Sequence, residues 1–446
     1  KPYKAVINIQ LRAGVDSYNL LVPHRCSGTN TFRQTVLEQY NNERTAIAFT
    51  DEERTRIINA ENQPCDQFTI HPDIPLVERL FNEESLSFFA NIGQLDAPVT
   101  KEDYYTVTRT ELFAHNTLQH ISQRIDPFDE VTGTGILGRM SDALLAQGFH
   151  AQTITISEST VATVGSPGRS DPPLVVSARG LNKFAPTRFR EPFDIKEAIP
   201  LLNNATDGMS SIYGETWMDR FHTARTNAEE LIEAMDRVEL TQNYEQGGDY
   251  VRQVETIASL MMTHKERGVD RDLFWLSFGS WDHHQNLKPN LAASFQELNE
   301  ALTLLEQELK AQGYYENVTV VLTSDFARTL TANSGTGSDH AWGGNLFTFG
   351  GAVRGHQILG DYPLDMTPGG PLNIGRGRLI PTLSWESMFQ GVAEWMGVTD
   401  DDALDAVMPN RHQTGTRLFT RTDLFHDVDD DDQDDTASRR LRGGTQ

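Results

Sequence analysis

Cysteine, basic charge and long apolar runs are all scarce in this chain of 446 residues. Two cysteines, Cys26 and Cys65, leave room for one intramolecular disulfide and no more. Two buried thiols are the plainer alternative. Lys and Arg number 38 against 63 Asp and Glu, for a formal charge of -25. A nucleic-acid-binding surface needs clustered Lys and Arg to neutralise phosphates, so that balance argues against one. No apolar run reaches the roughly 20 residues that a membrane-spanning helix needs. The chain begins at Lys1 and not Met, which fits a processed N-terminus whose signal peptide is already gone.

What is present suffices for a large core: 38% of the residues are hydrophobic and 9% aromatic. Length alone allows one big domain or two to three ordinary ones. The acidic surface suits a soluble protein in a salty or calcium-rich medium. Any anionic substrate would then need local help from metal ions or an arginine. Two glycosylation sequons, Asn204-Ala205-Thr206 and Asn317-Val318-Thr319, tilt the reading toward a secreted setting, with N-glycans at Asn204 and Asn317 and the cysteines paired.

Lys4 to Leu11 alternates apolar and polar residues and reads as a strand. Ser85 to Gly93 and Gln152 to Ser157 read as two more. From about Leu201 to Gly268 the chain is mostly helical in spacing, clearest over Ala228 to Leu240 and Tyr250 to Lys265. The most legible unit follows. A strand over Asp272 to Gly279 leads to a helix with Phe295, Leu298, Leu302, Leu305 and Leu309 on one face, at steps of three and four. Gly313 ends that helix, and Asn317 to Thr323 is the next strand. Strand, helix, strand in this order is a parallel unit with a right-handed crossover, which would put both strand ends on one sheet edge, about 5 Å apart if the strands touch. Asn345 to Gly350 reads as a further strand. The class expected is α/β, a mostly parallel central sheet with helices on both faces. Residues 1–425 form a single domain in this reading. Residues 426–446 form an acidic tail, a block of like charge that stays solvated and disordered.

In a parallel α/β sheet, functional groups gather beyond the carboxyl ends of the strands. Asp16 follows the first strand here, Asp282 and His284 follow the Leu273 strand, and Asp325 follows the Asn317 strand. A glycine-rich loop then reaches Asp339 and His340. A lone Asp after a strand is usually a turn or helix cap, and a lone His is usually a satisfied core or surface residue. Several together at one sheet edge favour a metal site instead. Carboxylates that close repel unless protonated or bridged by a cation. Imidazole with carboxylate suits zinc, manganese or iron, and carboxylate alone suits magnesium or calcium. Asp16, Asp282, His284, Asp325 and His340 are the expected ligands of a divalent metal. Asp339 serves to shape its loop, and His283 should point away from its neighbour. Arg328, three residues past Asp325, could clamp a phosphate or sulfate oxygen, with a structural salt bridge as the alternative.

These segments resemble a known family. Arg12-Ala13-Gly14-Val15-Asp16-Ser17-Tyr18-Asn19, Gly279 to His284, Ser324 to Thr329 and Gly337 to Gly344 match, in order, the motifs of the domain of unknown function 1501 family, as do His71-Pro72, Phe113-Ala114-His115-Asn116 and Gly350 to Gly355. Members are secreted, mostly bacterial proteins. The resemblance extends to about residue 425. The family is similar to the alkaline phosphatase and sulfatase superfamily, which implies metals at the strand ends held by the same five residues. Two positions depart from the pattern. Phe326 stands where the superfamily commonly has a ligand histidine, and Ala114 where the family has a serine. His115 remains as a catalytic candidate, and Ser17 is an alternative hydroxyl. The resemblance implies a secreted hydrolase of phosphate or sulfate esters, acting on an anionic ester with metal-activated water in place of a serine. Loss of chemistry would instead leave a binding or structural protein of the cell surface or extracellular matrix on the same fold.

Overall fold

A computed structural model describes residues 1–128, 133–180 and 212–426. The Asn204 sequon, the start of the helical region and the acidic stretch after His426 lie outside the described residues.

The strands are β1 (Lys4–Leu11), β2 (Leu21–Cys26), β3 (Arg56–Asn59), β4 (Cys65–Ile70), β5 (Leu86–Gly93), β6 (Ala151–Ile156), β7 (Leu174–Val176), β8 (Arg271–Phe278), β9 (Val318–Ser324), β10 (Gly344–Phe349), β11 (Gln357–Leu359) and β12 (Leu383–Ser384). Nine of them build one sheet in the order β11-β5-β10-β9-β1-β8-β6-β7, with β12 also on β5. Among the described residues only β10 runs against its neighbours in this sheet; the other pairings are parallel. Every residue from Ala5 to Leu11 is buried, so both faces of the sheet centre are covered. That fits the near-continuous apolar runs of the central strands.

The helix between β8 and β9, Leu287–Ala311, buries the expected Phe295, Leu298, Leu302, Leu305 and Leu309. Gly313, in the left-handed region at φ +76°, follows its end. One expectation is corrected. β8 and β9 do not touch, because β1 lies between them and pairs in parallel with both. Leu11 aligns with Phe278 on one side and Ser324 on the other. Three strand ends therefore stop level at one edge, spread over two strand spacings rather than one. The reversed β10 starts at this edge, and the carboxyl end of β5 lies beside that start, with Gly344 opposite Ile92. The loops before β10 and after β5 are thereby delivered to the same edge.

A second, antiparallel sheet of order β2-β4-β3 is crosslinked by a disulfide between Cys26 and Cys65. The bond closes 39 residues, a loop whose lost freedom in the unfolded chain corresponds to about 4 kcal/mol. The Asn317 side chain is half-buried and donates to the Tyr3 carbonyl at 3.0 Å. A glycan there would have to share or break that bond.

Glu386 lies wholly buried near the start of the helix Trp385–Met396, with no cation among its neighbours in the described residues. Burial pushes its carboxyl up to about 7, against the pull of its own N–H, Ser384 and Asn410, and with the push of Asp96. Its folded value exceeds the unfolded one, so the protein loses stability as pH rises from about 4.5 through 7. Glu386→Gln stays neutral, and is expected to raise stability at pH 8 by about 3 kcal/mol and to leave pH 4 nearly unchanged. Urea unfolding at the two pH values reads this. A variant less stable than wild type at pH 8 contradicts it.

Candidate metal centre

Asp282 is the hub. Its Oδ1 meets the Arg328 guanidinium in a close ion pair and lies 3.0 Å from His284 Nε2, 3.5 Å from His340 Nε2 and 3.6 Å from His115 Nε2. His284 arrives with Asp282 beyond β8. His340 comes from the loop before β10. His115 opens the helix His115–Arg124 on the segment after β5, with Ala114 as its N-cap and no side-chain cap bond. One carboxylate oxygen thus gathers three imidazole Nε2 atoms from three loops of one sheet edge.

The far side of two of these rings sets their tautomers. His340 Nδ1 donates to the Phe113 carbonyl at 2.8 Å, and His284 Nδ1 donates to Asp339 Oδ1 at 3.1 Å. In the neutral rings each Nε2 then carries a lone pair. Those two Nε2 atoms are 3.0 Å apart. Two acceptors that close have nothing to share without a cation or an added proton between them. Burial foremost, then the charges of His115 and Arg328, lowers the pKa of His340 against the Phe113 bond and Asp282. Burial raises the Asp282 carboxyl, but the Arg328 hydrogen bond and charge, with His284 and His115, outweigh it and hold it below the usual carboxylate range. The donor set is three imidazoles and one ionised carboxylate, which fits a transition-metal ion. His115, Asp282 and His340 offer atoms within 4.8 Å of one another.

Packing keeps the rings in place. Phe326 is buried, with its ring 4.9 Å from His115 and 4.8 Å from His340. The position that the resemblance would give to a ligand histidine is therefore a wall of the site. The loop Asn333–His340 folds over His284, with Gly337 so close that a Cβ would lie 2.2 Å from the His284 backbone. Asn333 binds both the His284 carbonyl and Asp339 Oδ1 at 2.9 Å.

The other expected residues sit elsewhere. Asp16 is buried below the centre and grips Arg44 with both oxygens, at 2.9 and 2.8 Å, while also accepting from Ser338 Oγ at 2.7 Å. A buried guanidinium takes the place expected for a metal. Asp325 accepts from the Ala13 N–H at 2.9 Å and Gln10 Nε2 at 3.2 Å, and its Oδ2 lies 3.6 Å beneath His115 Nδ1. It backs a ring of the centre without joining it. Arg328 is fully buried, and besides Asp282 it donates to the carbonyls of Gly14, Ser338 and Ala13. Arg328 thus makes the structural salt bridge given as the alternative, and four of its five N–H donors are used on protein oxygens. Ser17 is buried too, and its Oγ accepts from the Asn345 N–H at 2.9 Å, a role in holding β10. His283 turns away and packs by Trp281.

Asp339 is more than a loop residue, because it orients His284. Such outer partners typically carry 10–100-fold in metal affinity. Asp339→Asn is expected to weaken zinc binding by about that factor, read by calorimetric titration, with an unfolding midpoint near wild type. Unchanged affinity would remove His284 from the ligand set.

The family model described as Protein of unknown function (DUF1501) matches residues 3–367. The chain belongs to that family. No curated relative matches it. Among solved structures, this DUF1501 protein is similar to Ps i-CgsB in complex with k-i-k-neocarrahexaose, with 9% identity, a TM-score of 0.35, and 94% of this chain and 75% of that one covered. It is also similar to the PsFucS1 sulfatase from Pseudoalteromonas sp., with 12% identity, a TM-score of 0.32, and 80% and 65% covered. A protein in the alkaline phosphatase superfamily from Vibrio parahaemolyticus gives 9% identity, a TM-score of 0.28, and 81% and 62% covered. At these scores the likenesses decide nothing about activity.

Proposed function

We propose that the chain is a secreted, metal-dependent hydrolase of phosphate or sulfate esters, with residues 1–425 as its working unit. The observation that carries the reading is the approach of His284 Nε2 and His340 Nε2 to 3.0 Å, each with its Nδ1 proton committed elsewhere. His115, Asp282, His284 and His340 would hold a divalent ion. Asp16 and Asp325, taken as ligands on the sequence, would support the centre from below. When bound, such an ion supplies Lewis-acid polarisation of an ester oxygen and lowers the pKa of water.

The chain's own residues prepare that chemistry. Arg328 keeps Asp282 ionised and aimed at the three rings. Asp339 and the Phe113 carbonyl hold protons at Nδ1 of His284 and His340, so that both Nε2 lone pairs face Asp282. Asp325 lies under His115 and favours a proton on the near nitrogen, which presents Nε2 to the centre. Phe326 shuts water out from one side. Secretion is supported by the disulfide, since such bonds persist in oxidising compartments. No helix among the described residues is long and apolar enough to cross a membrane.

A second reading has its own support. Ala114 offers no hydroxyl at the start of the His115 helix, and Ser17 is buried on a backbone N–H. Those facts favour a metal-holding surface or matrix protein without turnover. Elemental analysis of the purified protein, beside assays on an aryl phosphate and an aryl sulfate, separates the two. The hydrolase reading expects at least one transition metal per chain and turnover of one ester that chelation abolishes. Metal with no turnover of either ester selects the second reading, and absence of metal removes both.

A further inference from the structure

Arg328 is fully buried, yet two other arginines stand at the rim of the centre. The segment around Asn373 to Leu379 folds into a tight hairpin, closed by the Ile374 N–H on the Arg378 carbonyl at 3.0 Å and a bridge between Asn373 and Leu379. At its tip Arg376 holds φ +59° between two glycines that also have positive φ. That backbone is costly for a side-chain-bearing residue. Arg376 Nη2 binds Asp339 Oδ2 at 2.6 Å, and its side chain is 66% exposed. Arg378 Nε donates to the His340 carbonyl at 3.0 Å, and its guanidinium lies 4.1 Å over the Phe113 ring. Among the described residues neither guanidinium makes any other hydrogen bond. Two cations with spare donors, two residues apart, are thus carried on one strained turn, in a chain of net charge -25.

Their contacts say where they stand relative to the centre. Arg376 reaches the centre only through Asp339 and then the full width of the His284 ring, by contacts of 2.6, 3.1 and 3.0 Å to Asp282. Arg378 reaches it through the backbone of His340. Neither faces Asp282. Both arginines are therefore tied to residues that flank the centre and not to Asp282 itself.

We propose that Arg376 and Arg378 form a subsite for a second anionic group, so that the substrate is a polyanion, an ester bearing further sulfate or phosphate groups beside the one that reacts. A guanidinium fork matches such tetrahedral oxyanions with paired N–H donors. The inference rests on the hydrolase reading for the word substrate; the anion subsite itself is tested without turnover.

The experiment is calorimetric titration of the full chain with dextran sulfate and, separately, with polyphosphate, for wild type, Arg376→Gln/Arg378→Gln and Arg378→Lys, with metal content measured on each. Wild type is expected to bind one of the two polymers despite its acidic surface, and which one names the sulfate or phosphate source. The double glutamine variant is expected to bind at least about tenfold more weakly at unchanged metal content, and Arg378→Lys to fall between, since it keeps charge and loses the fork. Wild type that binds neither polymer, or a double variant that binds as well as wild type, overturns the subsite. Arginine-dependent binding in a protein without metal or turnover would uphold the subsite while the hydrolase reading falls.

Discussion

Asp282→Asn is expected to abolish metal retention and any ester hydrolysis while the protein stays folded. Asp282 Oδ1 is the single oxygen on which His115, His284 and His340 converge, and the amide keeps its shape while removing its charge. An outer partner is typically worth 10–100-fold in metal affinity. Loss of the hub should exceed that, leaving metal at background by elemental analysis and turnover lower by more than about 100-fold. The side chain is 43% exposed, so little packing is lost. Arg328 loses its anionic partner, but it keeps its carbonyl partners at Ala13, Gly14 and Ser338 and the amide oxygen can still accept from it, so some stability is lost without unfolding the protein. Wild-type metal content in Asp282→Asn would mean that the ion, if any, sits elsewhere.

Arg44→Met should produce the largest loss of stability of any change near the centre. Arg44 is fully buried and donates twice to Asp16, which is itself 1% exposed. Removing one partner of a buried pair leaves an uncompensated charge and costs about 3–5 kcal/mol. The Ser338 hydroxyl and the Asn19 N–H would remain on Asp16, at 2.7 and 3.3 Å, and cannot replace a cation. The double change Asp16→Asn/Arg44→Met should recover a good part of the loss, because no charge is then stranded. Urea unfolding of both variants measures this. A cost of Arg44→Met under about 1 kcal/mol would show that Asp16 finds its compensation elsewhere.

The neighbourhood of the centre was readable because strand ends are. Apolar runs followed by Asp282-His283-His284, or preceded by Asp339-His340, place those residues at an edge whatever the strand order. Strand order itself leaves no local mark, so nothing in the β8 and β9 segments announces that β1 will lie between them. The roles of Asp16 and Asp325 were not readable for a related reason. An acid after a strand looks alike whether it faces a metal, a buried guanidinium or a backbone N–H. Arg44 sits in a polar helix with no distinguishing spacing, and its partnership with Asp16 exists only in three dimensions. His115 carried more signal, since its segment could be matched by motif. Its place beside Asp282 nevertheless depends on the path of the chain after β5. The Gly375-Arg376-Gly377-Arg378 run could have been noticed as a turn presenting two cations. The glycines beside Arg376 were the available signal.

The most direct test is anomalous diffraction from crystals of the intact protein grown with zinc. One peak is predicted, within about 2.0–2.2 Å of Asp282 Oδ1 and of Nε2 on His115, His284 and His340, after small rotations of these side chains. A peak on Asp16 or Asp325, or no peak at Asp282 with zinc in excess, would contradict the proposed centre.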